Sequence, residues 1–191
     1  MGRFWAMGYE ATSIDDLLAA SGMHRGSFYR TFGDKHAAFM EALDRYAVMV
    51  AEDHVVPSVT GGGSPCRRLL RLLYLRLDAA LGVAPSVDAG DRPGCLVVNT
   101  AVEVGPRDSQ ARTSVATMLA GMRAAIRRLV REAVAAGEVA TDVDAELAAD
   151  QIFTLLQGAN VLSCVGTDRR ELRRLLRRTV ETTLRPTVPL T

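Results

Sequence analysis

A long stretch in the second half of the chain repeats apolar residues every three or four positions. This spacing places them on one face of an α-helix, and the glycine that follows them is typical of a helix end. No stretch alternates apolar and polar residues with period two for long enough to predict a strand. We therefore expect an all-α fold built around this helix. The repeated residues are Val115, Met118, Leu119, Met122, Ile126, Leu129, Val130 and Ala133, followed by Gly137.

Further helices are predicted by the same periodicity on both sides of this one. They cover about 14–21, 24–32, 35–50, 69–81, 95–104, 144–164 and 169–184. The short run 95–98 is open to a strand as well, because a brief apolar run does not distinguish the two. The helix over 69–81 carries a row of arginines opposite its leucines, namely Arg67, Arg68, Arg71 and Arg76. The last helix carries a second row, for which a solvated face is the ordinary expectation: Arg169, Arg170, Arg173, Arg174, Arg177 and Arg178.

Two segments are expected to connect helices. Residues 56–65 contain Pro57 and three successive glycines, which predict a flexible connection rather than a helix. This connection divides the chain into an N-terminal domain, 1–50, and a larger domain, 66–185. A second loop is predicted from Gly82 to Pro93.

Composition limits the cellular compartment and the binding partners that we expect for this chain. The 191 residues are 48% apolar, and no run approaches the roughly 20 apolar residues of a membrane helix, so we expect no membrane partner. Cys66, Cys95 and Cys164 lie far apart and predict neither a disulfide framework nor a zinc site, which fits a reducing cytoplasm. We expect no cofactor and no metal. The net charge of +1 means that any nucleic-acid contact comes from a local patch.

The first 35 residues show the pattern of a helix-turn-helix. Either Thr12 with Asp15 or Ser13 with Asp16 has the spacing of a capping box. Gly22 then permits the turn between two short helices. In such a motif the second helix enters the major groove of DNA, although many helical domains contain a similar pair only for packing. The apolar residues that hold the pair together are Ile14, Leu17, Leu18, Phe28 and Phe32.

The residues themselves carry a more specific signal. The segments 8–14 (GYEATSI), 20–23 (ASGM) and 26–35 (GSFYRTFGDK) closely resemble the DNA-binding segment of TetR-family repressors. The segment 93–100 (PGCLVVNT) resembles one found in a branch of that family. The resemblance implies an N-terminal helix-turn-helix DNA-binding domain and a larger C-terminal helical domain that binds a ligand and dimerises.

DNA-contacting residues follow from the matched positions. Ser13 and Tyr29 match positions that contact phosphates, and Lys35 matches the basic residue that opens the next helix. His24 either caps the recognition helix or contacts a phosphate. The candidates for reading base edges lie on or beside the second helix, where arginine can bind guanine through two hydrogen bonds: Arg25, Ser27, Arg30 and Thr31.

The C-terminal domain is expected to hold a small-molecule inducer and to form a homodimer. Apolar faces interrupted by a polar group predict the ligand site: Leu73, Leu77, Asn99, Val102, Met118, Met122, Phe153 and Gln157. Apolar stripes on the last two helices suit either the chain's own core or a subunit interface, and the resemblance favours the interface: Ile152, Leu155, Leu156, Ala159, Leu172, Leu176, Val180 and Leu184. Cys95 is open to two interpretations, a sensor of electrophiles or oxidants and a buried small hydrophobe.

One departure concerns the N-terminus. The family usually has a full helix before the glycine that corresponds to Gly8, and here only Arg3, Phe4, Trp5 and Ala6 stand for it. We expect a shortened first helix, so that DNA binding is conditional on where the chain starts.

The expected function is that of a cytoplasmic bacterial regulator, associated with the nucleoid. It would bind double-stranded operator DNA as a dimer, as a repressor that a small molecule releases. A dimeric sensor or scaffold with impaired DNA binding is the first alternative. A helical enzyme is the second, although the sequence offers no metal-protease motif, phosphate loop or nucleophile elbow.

Overall fold

Helices account for the architecture of the computed structural model, which describes residues 1–82, 94–187 and 190. No strand forms within these ranges, and a single antiparallel bridge joins Val139 to Pro186. The predicted all-α fold is confirmed, and of the run 95–98 the residues 96–98 belong to a helix that Cys95 precedes as its N-cap. The helices are α1 (Gly2–Ala11), α2 (Ile14–Ser21), α3 (Arg25–Phe32), α4 (Lys35–Val50), α5 (Val56–Thr60), α6 (Pro65–Ala80), α7 (Leu96–Glu103), α8 (Ser109–Ala135), α9 (Ala145–Ser163) and α10 (Arg169–Leu184).

The pair α2–α3 forms the predicted helix-turn-helix. Of the two possible capping boxes, the one that forms joins Ser13 to Asp16, whose side chains and backbone amides bond reciprocally. Gly22 ends α2 with a φ of 66°, a left-handed conformation that glycine adopts without strain. Asp34 then caps α4 by accepting a hydrogen bond from the amide of Ala37. These local signals determine where α2 begins and ends and where α4 begins.

The first helix is kinked at Gly8, where φ is 79° and ψ is 177°. Phe4 and Trp5, which precede the kink, are both buried. The indole Nε1 of Trp5 donates to the backbone oxygen of Gly94 at 3.0 Å, and its ring meets that of Tyr46 edge to face, with centroids 5.0 Å apart. The residues before Gly8 therefore form a packed helical segment.

The connection predicted over 56–65 is wrong in its first half. The helix that begins at Lys35 continues through a π-helical turn, Ala51–Val55, into α5, and only residues 61–64 interrupt it before α6. Pro57 is compatible with this because it occupies the first turn of α5. A missing N–H is tolerated in the first turn of a helix, where the donor often has no intrahelical acceptor. The second predicted loop lies outside the described residues, apart from its first residue, Gly82.

Two apolar cores lie side by side. One is formed by α6, α8, α9 and α10. The other joins the N-terminal helices to α7 and to the start of α8, so that residues such as Phe39 and Leu96 pack in the same cluster. The second core therefore crosses the boundary that the sequence suggested between residues 50 and 66.

Arginine–carboxylate pairs fasten the outer surfaces of the helices. Asp78 on α6 accepts hydrogen bonds from Arg169 and Arg173 of α10, and Asp150 on α9 accepts from Arg123 and Arg127 of α8. The arginine row on α10 is thus partly engaged within the chain rather than wholly solvated.

None of the helices in the described ranges has the length and apolarity needed to cross a bilayer.

Candidate nucleic-acid interface and internal cavity

Helix α3 presents its polar side chains to the surface and its apolar ones to the interior. Phe28 is buried, with its ring centroid 5.1 Å from that of Phe32. Tyr29 is 44% exposed, an unusual degree for a large aromatic side chain. Arg30 and Thr31 are exposed beside it. This face offers hydroxyl and guanidinium groups, the donors that phosphates and base edges accept from.

Several predicted contact residues at the edges of this face already have partners. The hydroxyl of Ser13 donates to Asp16 at 2.6 Å, and Arg25 forms an ion pair with Asp15. The ammonium of Lys35 lies 3.3 Å from the backbone oxygen of Glu10. Each of these groups would have to share or exchange its partner to bind a phosphate.

Two further predicted contact residues, His24 and Ser27, lie at the start of α3. His24 stands at the N-cap of α3, but its side chain makes no capping hydrogen bond, so the expected capping role is wrong. Ser27 is half-buried and its hydroxyl lies 3.5 Å from a guanidinium nitrogen of Arg30. His24 itself is exposed, which leaves it open to a phosphate contact.

A cavity of about 230 Å³ lies between α4, the π-helical turn, α6, α8 and α9, and opens to the surface. Three residues of the predicted ligand site line it: Met118, Met122 and Gln157. The helix α4 contributes to its wall and also packs against α3, so the cavity and the helix-turn-helix share one structural element. The lining residues are Tyr46, Ala47, Val50, Ala51, Val55, Arg76, Cys95, Val97, Met118, Leu119, Gly121, Met122, Leu156, Gln157 and Asn160.

The other five predicted ligand residues do not line this cavity. Leu73 and Leu77 are fully buried in the apolar core, where neighbouring side chains leave no room for a ligand. Val102 points outward from α7 and is 75% exposed. Asn99 lies near Cys164, with Oδ1 3.9 Å from Sγ, and Phe153 packs at the edge of the core. The prediction is wrong for Leu73, Leu77 and Val102, because helical spacing alone did not separate a lining residue from a core or surface residue.

The cavity wall contains a buried polar cluster that the sequence did not suggest. Arg76, predicted on the outer face of its helix, is only 3% exposed. Its Nη2 donates to the hydroxyl of Tyr46 at 2.8 Å and to Sγ of Cys95 at 3.4 Å, and its Nη1 lies 3.0 Å from Nδ1 of His54. The sequence did contain a signal for this cluster, because Arg76 stands at helical spacing among leucines. A charged residue inside an apolar stripe is rarely buried unless it has a partner.

The same cluster determines the contacts of Cys95 and the protonation state of His54. Cys95 is buried and contacts Tyr46 as well as Arg76, with Sγ 3.4 Å from the hydroxyl. Burial, and next the positive charge of Arg76, lower the pKa of His54 to about 4. His54 is therefore neutral at pH 7, and its Nδ1 accepts the hydrogen bond from Arg76.

The predicted subunit-interface stripes belong largely to the chain's own core. A side chain with almost no exposed surface cannot pack against a second subunit, which corrects the expectation for seven of the eight residues; Leu155 is half-buried. The buried seven are Ile152, Leu156, Ala159, Leu172, Leu176, Val180 and Leu184. A different set of apolar side chains is exposed on or just beyond α9 and α10: Leu147, Val161, Leu162, Val165 and Leu175.

Two polar contacts join the N-terminal helices to α7 and α8. The carboxylate of Glu103 accepts hydrogen bonds from the backbone amides of Tyr9 and Glu10, at 3.1 and 2.9 Å. These amides directly follow the kink at Gly8. His36, in the first turn of α4, lies 2.6 Å from the carboxylate of Asp108, which caps α8. The N-terminal helices α1 and α4 are thus held to the C-terminal helices at two points.

Comparison with known proteins yields two matching family models. The one described as "Bacterial regulatory proteins, tetR family" matches residues 3–42, and the one described as "Tetracyclin repressor-like, C-terminal domain" matches residues 75–179. The HTH-type transcriptional repressor DhaR of Mycobacterium sp. (strain GP1) is 26% identical over 180 residues, which cover 91% of this chain and 82% of that protein. The transcriptional regulator AcuR of Cereibacter sphaeroides is 31% identical over 155 residues, covering 80% and 67%.

Solved structures give the same result for the fold. A cysteine mutant of the TetR family transcriptional regulator CifR, complexed with 26-bp double-strand operator DNA, superposes with a TM-score of 0.78 at 26% identity. The match covers 93% of this chain and 90% of that one. A TetR transcriptional regulator from Chloroflexus aurantiacus superposes with a TM-score of 0.77, also at 26% identity, over 93% and 86% of the two chains.

Proposed function

Because this chain belongs to the TetR family of DNA-binding transcriptional regulators, and not to a class of enzymes, we propose that it is a homodimeric repressor released by a small molecule. The observation that carries the proposal is the joint position of α4, which lines the cavity and packs against the recognition helix α3. An occupant of the cavity that displaces α4 would therefore also displace α3.

In the proposed complex, α3 of each subunit enters a major groove, and the two half-sites lie about one DNA turn, roughly 34 Å, apart. Arg25, Ser27, Arg30 and Thr31 are proposed to read base edges. Phosphate contacts are proposed for Ser13, His24, Tyr29 and Lys35. The exposure of Tyr29 and Arg30 supports these roles most directly.

Fluorescence anisotropy with labelled DNA from the protein's own promoter region tests DNA binding. Loss of a bidentate base contact typically costs about 1–3 kcal/mol, so Arg30→Ala should weaken binding by about five- to 150-fold. Arg67→Ala, the same change at an exposed position on α6, is the matched control and should bind like the wild type. The logarithm of the affinity should fall linearly with the logarithm of the salt concentration. Equal loss in both variants would contradict the assignment of α3.

The homodimer is proposed to form through the exposed apolar side chains of α9 and α10. Val161 and Leu162 lie on this surface while their neighbours pack inward, which supports a helix-to-helix contact with a second copy. Light scattering after size exclusion should give twice the mass of the chain. Val161→Glu should reduce it to the monomer mass, whereas Thr117→Glu, an exposed change on α8, should not. A monomeric wild type would overturn this part of the proposal.

Release by a ligand follows from differential affinity. A molecule that binds the DNA-free arrangement of α4 more tightly lowers DNA affinity by the ratio of its two affinities. A dimeric sensor that has lost DNA binding remains the second candidate. Its motivation is the set of internal partners held by Ser13, Arg25 and Lys35. Absence of any salt-dependent binding to the promoter region would favour that candidate.

A further inference from the structure

The charge of Arg76 has no carboxylate partner among the described residues of the chain. The guanidinium is 3% exposed, and no aspartate or glutamate in those ranges lies within ion-pair distance of it. By contrast, Arg68, two turns earlier on α6, is paired with Glu132. Burial of an unpaired charge is costly, and arginine does not escape the cost by losing its proton.

The groups that do contact Arg76 are a histidine, a tyrosine and a cysteine, and none of them is a carboxylate. His54 is neutral at pH 7, and burial raises the pKa of Tyr46, so that its hydroxyl keeps its proton. The sulfur of Cys95 is the third contact. Three of the five N–H donors of the guanidinium are accounted for in this way. Among the described residues no carboxylate balances this positive charge, which lies beside an open cavity.

A second observation in the cavity indicates that a polar ligand enters, but it concerns a hydrogen-bond acceptor and carries no information on the ligand's charge. Asn160, on the wall formed by α9, is 2% exposed, and its Oδ1 has no hydrogen-bond partner. Buried polar atoms are normally satisfied, and one left unsatisfied next to a cavity indicates a partner that enters from outside the chain. The remaining wall is mostly apolar, with residues such as Val50, Met118 and Leu156.

We propose that the cavity binds a small organic anion, a carboxylate on a compact apolar body, with the carboxylate against Arg76 and Tyr46. This deepens the proposed function, on which it rests for the consequence of binding. The two remaining guanidinium donors, one on Nη1 and the one on Nε, can each donate a charge-assisted hydrogen bond to a carboxylate, and the hydroxyl of Tyr46 is a further donor. An apolar cavity of 150 Å³ holds a benzene molecule, so about 230 Å³ leaves room for a ring and its carboxylate.

Isothermal titration of the full chain with benzoate and with benzamide tests the proposal. The two probes have the same shape and differ in charge. A hydrogen bond to a charged partner is worth about 1.5–3 kcal/mol, so benzoate should bind at least about tenfold more tightly than benzamide. Equal affinity for the two probes, or no binding of benzoate at millimolar concentration, would overturn the proposal, because Arg76 would then have only a structural role.

Substitutions of Arg76 test whether this residue causes the preference for benzoate over benzamide. Arg76→Lys keeps the charge but loses the planar set of N–H donors, and should retain a reduced preference for benzoate. Arg76→Gln should bind both probes alike, whereas Arg68→Gln, the same change on the same helix outside the cavity, should behave like the wild type. If Arg76→Gln does not fold, the wild-type comparison and Arg76→Lys still decide. An unchanged preference in Arg76→Gln would overturn the assignment of the site.

The consequence for DNA binding is measured separately. If benzoate binds through Arg76 but leaves the affinity for promoter DNA unchanged, the anion site stands and the proposed release fails. If benzoate does not bind while other compounds release the protein from DNA, the proposed function stands and the anion site fails.

Discussion

Replacing His54 by asparagine should remove most of one pH-dependent component of stability. His54 is 2% exposed in the π-helical turn, and its Nδ1 accepts a hydrogen bond from Arg76. Burial and the neighbouring guanidinium lower its pKa from 6.5 to about 4. Asparagine places an acceptor near the position of Nδ1 but does not titrate in this range.

The magnitude follows from linkage between protonation and folding. The unfolded chain binds a proton at His54 near pH 6.5 and the folded chain only near pH 4, so stability falls as the pH falls between these values. At 1.36 kcal/mol per pKa unit, the full loss is about 3 kcal/mol, and the loss between pH 8 and pH 5 is about 2 kcal/mol. That is a sizeable part of the roughly 5–15 kcal/mol that holds a typical protein folded.

Urea denaturation at pH 8 and pH 5, at one fixed protein concentration, measures the effect. The wild type should lose about 2 kcal/mol more than His54→Asn over this interval. His36→Asn is the control, because His36 is half-exposed and bonded to Asp108 rather than to a cation. If His54→Asn loses as much stability as the wild type on acidification, His54 is not the titrating group and the reasoning fails.

Two further substitutions test the packing of the helices. Gly8→Ala should lower stability by about 1–3 kcal/mol in thermal denaturation, because Gly8 has a positive φ and a Cβ there would lie 2.6 Å from the carboxylate of Glu103. Gly26→Ala is the control and should not lower stability, because a Cβ at that position meets nothing within 4 Å. Equal effects of the two substitutions would refute the contact. Asp78→Asn should cost about 1–2 kcal/mol because it disrupts two arginine contacts to α10. Asp142→Asn, in an exposed pair, should leave stability close to that of the wild type. A neutral Asp78→Asn would show that these contacts do not hold α10.

Local signals in the sequence were sufficient for the helices and for the motif they form. The capping residues Ser13 and Asp34 and the turn glycine Gly22 act within a few residues of their position, so their effect is visible in the sequence. The helix through Pro57 was missed because composition does not reveal a π-helical turn, in which backbone bonding shifts by one residue.

Long-range placement explains the remaining differences. Leu73 and Met118 lie on apolar helix faces of the same kind, but only Met118 borders empty space, and that depends on how four helices pack. The burial of Arg76 and the contact between Glu103 and the amides after Gly8 join residues that are far apart in sequence. The prediction of the interface residues was wrong for the same reason. When a helix has apolar residues on two faces, the sequence does not specify which face packs inward.

The shared core of the N-terminal helices with α7 and the start of α8 limits how this protein can be rebuilt. A graft of residues 1–50 onto another regulator's C-terminal helices would leave Trp5 and Phe39 facing foreign side chains. It would also remove the acceptors that Glu103 and Gly94 provide. A chimera with new operator specificity should therefore exchange the surface residues of α3 alone, or carry α7 and the first turns of α8 with the graft. In this design the surface residues of α3 can be exchanged, whereas the N-terminal helices around α3 do not form a separate module.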